Sequence, residues 1–267
     1  MRAAVVQLNT QNDKAANFAA AERWVREAAS QGAIWVGLPE TFGWLGPEAE
    51  RTANAEPLAG ETAARFSKLA KELNIELLAG SLLETGASDG RLFNTSLLFG
   101  PDGALKATYR KMHLFDVDVG DGHPYRESAA VAPGEQPVVV DSKLGRLGLS
   151  ICYDLRFPEL YRVYASQGAT ALAVPAAFTL ATGKDHWEVL LRARAIENQS
   201  YVLAPAQWGK HPPSRMTFGN AMIVDPWGTV IARAPEGEGF AMADVDLVRL
   251  ASVRASLPAL RHRRLPG

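Results

Sequence analysis

An alternation of apolar runs with helical periodicity over the first 83 residues constrains the fold more than any other feature of this chain. Ala3–Leu8 is an apolar run of strand length. From about Asp13 to Gln31, Phe18, Ala21, Val25 and Ala28 recur at helical spacing behind the cap candidates Asn12 and Asp13. Ala33–Leu38 is a second strand-like run, stopped by Pro39. A helix is predicted over about Glu61–Leu73 and a strand over Ile75–Leu83. A βαβαβ order of this kind favours parallel strands joined through crossover helices.

The rest of the chain breaks that rule. Asn94–Phe99 and Ala104–Arg110 flank Pro101-Asp102-Gly103 and predict a hairpin. Pro137–Val140 and Arg146–Ile151, on either side of Ser142–Gly145, predict another. A helix is expected from near Phe157 and a strand over Ala169–Val174. A strong helix is expected over about Asp185–Gln199, with Asp185 and Glu188 in capping-box spacing and Glu188 four residues before Arg192. Strands at Tyr201–Ala206, Asn220–Val224, Thr229–Ala232 and Phe240–Val245 close the pattern. Hairpins are as frequent as crossovers, so two mixed sheets packed face to face, with helices outside, fit better than one parallel sheet. No repeat or linker divides the chain, and a single domain over 1–267 is expected.

Composition then excludes whole classes of function. Lys and Arg number 28 against 29 Asp and Glu, a net charge of −1 that gives no basic excess for nucleic acid or an anionic membrane surface. The most apolar stretch, around Ala169–Leu180, is too short to span a bilayer. One cysteine, Cys152, excludes an intrachain disulfide and any multi-thiolate zinc site. With no secretory signal in view, a soluble protein of the reducing cytoplasm is expected. The five histidines show no metal-ligand spacing, and phosphate-loop, dinucleotide and Gly-x-Ser-x-Gly motifs are absent.

Three residues draw attention on position. Cys152 ends the run Leu147–Ile151 and precedes a predicted helix start, where free amides and the helix dipole favour a thiolate and a developing oxyanion; a small buried hydrophobe is the other reading. Glu40 follows a strand and Pro39; burial there would raise its pKa towards that of a general base, while a solvated loop glutamate is the alternative. Lys111 follows a predicted strand beside Met112, either as an ammonium needing an anionic partner or as an edge-strand lysine.

Together, in this order and with their surroundings, they say more. Leu38-Pro39-Glu40 with Phe42, Tyr109-Arg110-Lys111 with His113-Leu114-Phe115, and Cys152-Tyr153-Asp154 with Arg156-Phe157-Pro158-Glu159 resemble the Glu-Lys-Cys motifs of the nitrilase superfamily of carbon–nitrogen hydrolases. His186–Glu197, Gly209-Lys210-His211, Asp225–Thr229, Leu257-Pro258 and His262-Arg263-Arg264 narrow the resemblance to the branch of amidases acting on deaminated glutathione, with ω-amidases next.

The resemblance implies a four-layer αββα sandwich, pairing into homodimers or larger homo-oligomers, and hydrolysis of a small-molecule amide without cofactor or metal. It implies Cys152 as nucleophile, Glu40 as proton carrier, Lys111 and the Tyr153 amide as oxyanion donors, and Glu127 as a second glutamate beside them. Arg156, one helical turn past Cys152, suits a carboxylate clamp, with a salt bridge to Asp154 or Glu159 as the alternative. Thr182 is a candidate donor to the same group, and Phe178 and Trp187 are candidate pocket walls. The expected reaction is deaminated glutathione to 2-oxoglutarate and cysteinylglycine; alternatives are an ω-amidase acting on 2-oxoglutaramate, an N-carbamoyl amidohydrolase, or a non-catalytic binding protein. Gly219-Asn220-Ala221 and the segment Gly120–Tyr125 depart from the family's usual form and bear on specificity.

Overall fold

The computed structural model describes residues 1–120 and 124–265; the departure at Asp121–His123 therefore lies outside the described residues. In chain order the first half contains β1 (Arg2–Leu8), α1 (Lys14–Ser30), β2 (Trp35–Gly37), α2 (Arg51–Asn54), α3 (Glu61–Leu73), β3 (Glu76–Glu84), β4 (Phe93–Phe99), β5 (Leu105–Arg110), β6 (Asp116–Val117) and β7 (Tyr125–Arg126). The second half contains β8 (Val138–Ser142), β9 (Gly145–Leu149), α4 (Pro158–Ser166), β10 (Ala171–Ala173), α5 (Leu180–Asn198), β11 (Tyr201–Ala204), β12 (Ala206–His211), β13 (Arg215–Phe218), β14 (Met222–Val224), β15 (Val230–Arg233), β16 (Gly239–Asp244) and α6 (Leu247–Ser256).

Two mixed sheets result, as expected. The first runs β13-β12-β1-β2-β3-β4-β5, with β16 also antiparallel to β1; the second runs β15-β14-β11-β10-β9-β8. Strand β1 lies parallel to β2 and is buried on both faces, which explains its unbroken apolar run. Its Ala4, Val6 and Leu8 meet Phe18, Val25, Phe66 and Leu69 of α1 and α3. Its Ala3 and Val5 join Trp35, Leu78 and Leu98 in the core shared with Leu147, Leu149 and Leu172 of the second sheet. Tyr161, Tyr164, Trp187 and Leu191 of α4 and α5 extend that core on the far side. The order is helix, sheet, sheet, helix.

Local chemistry sets the ends. Asp13, not Asn12, caps α1, its carboxylate accepting from the Ala16 amide at 3.0 Å. The helix predicted from Asp185 begins earlier, at Leu180, with Thr179 as its cap. Asp185 sits inside it and caps nothing. Gly183 concealed that start, but it belongs to the helix because a Cβ there would lie 2.3 Å from Phe218 Cβ. Among the elements that escaped the sequence reading are α6, capped by Asp246, and the β12–β13 hairpin. The hairpin has no apolar alternation to read. It buries Gln207, His211 and Thr217 instead, and His211 is satisfied by the Thr10 carbonyl and the Thr217 hydroxyl, each at 2.7 Å. Burial pushes this imidazole down to about 4, so it is neutral. Among the described residues, no helix is long and apolar enough to cross a membrane.

Candidate active site

Glu40, Lys111 and Cys152 each stand just beyond the C-terminal end of a strand: β2, β5 and β9. The two sheets bring these ends together, and all three residues line one pocket. The strand-end positions are held by backbone contacts. Leu38 N–H donates to Leu78 O at 2.9 Å, and the segment then crosses β3 so closely that a Cβ on Gly80 would lie 1.9 Å from Pro39 O. Glu40 O accepts from Gln207 Nε2 at 3.0 Å, and Thr41, at φ +50°, donates its amide to Ser81 Oγ at 3.0 Å.

Cys152 begins a tight 3₁₀ turn, Cys152–Arg156, before Pro158 opens α4. Its φ is +49°, a left-handed conformation that a non-glycine residue holds at a cost of about 1–3 kcal/mol. Asp154 fixes the turn. Fully buried, it accepts from the Ile151 amide (2.8 Å), the Tyr109 hydroxyl (2.7 Å) and the His113 amide (3.0 Å), with His113 Nδ1 at 2.7 Å. Cys152 N–H donates to Pro175 O at 2.9 Å, which ties the turn to the end of β10.

The side chains converge. Lys111 Nζ, 2% exposed, donates to Glu40 Oε1 at 3.1 Å and to Glu127 Oε2 at 2.8 Å. Glu40 Oε2 accepts from the Ala177 amide at 2.9 Å, and the Cys152 thiol hydrogen-bonds to the same carboxylate. Glu127 also accepts from the Phe115 amide at 2.7 Å. It is therefore a partner of Lys111. Asn94, which sequence reasoning passed over, donates through Nδ2 to Glu40 Oε1 at 2.9 Å and to Glu127 Oε1 at 3.3 Å. The signal was faint: Asn94 opens a polar run, Asn94-Thr95-Ser96, in a strand that ends in Leu97-Leu98-Phe99.

The charge states follow from this packing. Burial pushes Glu40 upward, as the sequence suggested, but the Lys111 ammonium and the hydrogen bonds from Cys152, Lys111 and Ala177 outweigh it, and the carboxyl falls below its ordinary value. Burial opposes the charge on Lys111 too, yet Glu127 and Glu40 hold its pKa above the ordinary lysine value. Burial and the Glu40 charge push the Cys152 thiol well up, against the pull of Lys111. The turn's amides do not produce a resting thiolate, contrary to expectation. The resting arrangement is a neutral thiol hydrogen-bonded to a buried carboxylate beside an ammonium, so the proton acceptor is already in place.

Of the other predicted residues, Tyr153, Arg156, Phe178 and Thr182 all line the pocket. Arg156 pairs with neither Asp154 nor Glu159. Its guanidinium lies over Phe178 at 5.0 Å and Tyr153 at 5.9 Å, and contacts His186 Nδ1 at 3.2 Å. Thr182 sits in the first turn of α5, its hydroxyl 2.9 Å from that of Thr179. Trp187 does not wall the pocket: it is fully buried behind Phe178, donating Nε1 to Asn220 O at 2.9 Å. No cluster of three or more His, Cys, Asp or Glu among the described residues is arranged to hold a metal ion.

Comparison with known proteins agrees with the fold. Residues 2–255 match the carbon-nitrogen hydrolase family. A deaminated glutathione amidase of Synechocystis sp. is 47% identical over 98% of this chain and 97% of its own. Human omega-amidase NIT2 is 41% identical over 98% of this chain and 95% of its own. The crystal structure of the C. elegans NitFhit protein superposes with a TM-score of 0.91 and 41% identity over 98% of this chain; the match spans 65% of that longer chain. The chain belongs to the carbon-nitrogen hydrolase family and is an amide-hydrolysing enzyme of it, in keeping with the resemblance to the nitrilase superfamily.

Proposed function

We propose that this enzyme is a thiol amidase that cleaves deaminated glutathione to 2-oxoglutarate and cysteinylglycine. The observation that carries the reading is the convergence of Cys152, Glu40 and Lys111 on one pocket that also presents Arg156. Cys152 Sγ attacks the amide carbon as Glu40 takes the thiol proton. The negative charge that develops on the carbonyl oxygen faces Lys111 and the Tyr153 amide; losing one such donor typically costs about 10²–10³ in rate. Glu40 delivers its proton to the leaving nitrogen, the C–N bond breaks, and the acyl group remains on sulfur as a thioester. Glu40 then takes a proton from water, the hydroxyl adds to the thioester carbon, and the sulfur leaves with the proton returned. Glu127 and Asn94 hold Lys111 and Glu40 in register throughout.

Arg156 supports the acyl preference. A buried carboxylate needs a charge-assisted partner, and this guanidinium has no carboxylate within ion-pair distance among the described residues while stacking on two pocket aromatics. The lone thiol suits a reducing cytoplasm. The exposed apolar side chains of α5 suit self-association, and we assign the enzyme as a homodimer or higher homo-oligomer.

The test is turnover of deaminated glutathione against 2-oxoglutaramate, with Cys152→Ala as control. Preference for the former with the variant inactive supports the reading. Preference for 2-oxoglutaramate makes the enzyme an ω-amidase, and more than about a tenth of wild-type activity in Cys152→Ala rejects the thioester route.

A further inference from the structure

The pocket contains a second guanidinium that the scheme above leaves idle. Arg215, at the start of β13, lines the same cavity as Cys152. It lies 5.0 Å from the centre of the Tyr125 ring and makes no ion pair among the described residues. The other pocket arginines are occupied differently. Arg51 pairs with Glu48 at 2.8 Å, and Arg126 donates to the carbonyls of Tyr125 (2.7 Å) and Val117 (3.3 Å).

Arg156 and Arg215 stand at opposite ends of one aromatic run along the pocket wall. Arg156 lies over Tyr153, Tyr153 meets Phe115 edge-on at 5.0 Å, Phe115 meets Tyr125 at 4.9 Å, and Arg215 covers Tyr125. Each step is 5–6 Å, so the run sets an upper bound on the separation of the two cations. The end with Arg156 belongs to the Cys152 turn, where the acyl group stays after the C–N bond breaks. The other end belongs to a different sheet and a different hairpin, away from the acyl group.

We propose that Arg215 binds a carboxylate on the amine half of the substrate. On the amidase reading above, which this inference presupposes, the pocket then takes a doubly anionic amide: an oxo acid at Arg156 and a short peptide-like amine ending in a carboxylate at Arg215. Arg215 is thus a specificity determinant, separating amides that release such an amine from primary amides that release ammonia.

Steady-state kinetics on three substrates test this: deaminated glutathione, its C-terminal carboxamide, and 2-oxoglutaramate. In the wild type, kcat/KM is expected to fall about tenfold or more from the acid to the carboxamide, the scale of a charge-assisted hydrogen bond. Arg215→Leu is expected to lower the acid's value by a similar factor, mainly through KM, to add little to the carboxamide's loss, and to cut the ratio of acid to 2-oxoglutaramate about tenfold. Equal losses on all three substrates would show that Arg215 only shapes the wall through Tyr125 and would overturn the proposal. So would an Arg126→Leu variant that erases the acid preference while Arg215→Leu keeps it. Wild-type enzyme that hydrolyses none of the three rejects the amidase reading, and the subsite with it. Wild-type turnover with an unmoved substrate ratio in Arg215→Leu rejects the subsite alone.

Discussion

Cys152 is the chain's one cysteine, so its ionisation can be followed by the pH dependence of alkylation at a single site. Two charges act on it in opposite senses: Glu40 pushes the thiol up and Lys111 pulls it down. Glu40→Gln removes the first and keeps the second, since Glu127 still anchors Lys111. The expected result is a thiol that ionises at lower pH than in the wild type while turnover stops, because an amide cannot accept the proton. Lys111→Met should move the thiol further up and also stop turnover. A Glu40→Gln thiol that titrates as in the wild type would show that the two groups are not coupled. Because Glu40 is held below its ordinary value, ionised Glu40 is lost only as pH falls through that depressed value. The acid limb of kcat/KM is therefore expected below the ordinary carboxylate range. The identities of these residues were legible in the sequence because the motifs around them are long. Their charge states were not, because each depends on partners 16 to 137 positions away, from Glu127 on Lys111 to the Ala177 amide on Glu40.

At the scale of elements, the turn that presents Cys152 depends on one buried carboxylate. Asp154→Ala would leave the Ile151 and His113 amides and the Tyr109 hydroxyl without their acceptor. At about 1–3 kcal/mol for each buried group left unsatisfied, a loss of at least about 3 kcal/mol is expected in urea unfolding. Activity should fall further than stability, because the strained φ at Cys152 loses its anchor. A variant as stable as the wild type would place the anchor elsewhere. Strand β1 was readable as an unbroken apolar run, and helices α1 and α3 because each buries apolar residues at helical spacing. The β12–β13 hairpin was not, because its inward positions are polar groups satisfied across the chain: Gln207 by Thr10 and Glu40, and His211 by Thr10 and Thr217. That hairpin carries Arg215, so the element least visible in the sequence is the one on which the proposed amine-side specificity rests.

For the whole molecule, the far side of α5 is the surface that solvation does not explain. Val189 and Ile196 lie seven residues apart on one helical face and are 65% and 47% exposed. The loop at Trp227, itself 54% exposed, packs beside Ile196: a Cβ on Gly228 would fall 2.5 Å from that side chain, and Arg192 Nε donates to Gly228 O at 2.8 Å. Single exposed apolar residues are ordinary, but three in one patch around an aromatic mark an interaction surface. On the homo-oligomer proposed above, the occupant of this patch is a second copy of this chain. A two-fold pairing would set the patch against itself, since an isologous interface uses the same surface on both subunits. Trp227→Glu places two carboxylates in that contact at no cost to the core, because the side chain is exposed. Sedimentation velocity is expected to show the wild type as a dimer or larger species and Trp227→Glu shifted to the monomer. The thermal midpoint at low protein concentration should change little. A wild type that sediments as a monomer at every concentration would refute the pairing. A variant that stays assembled would move the interface off this face.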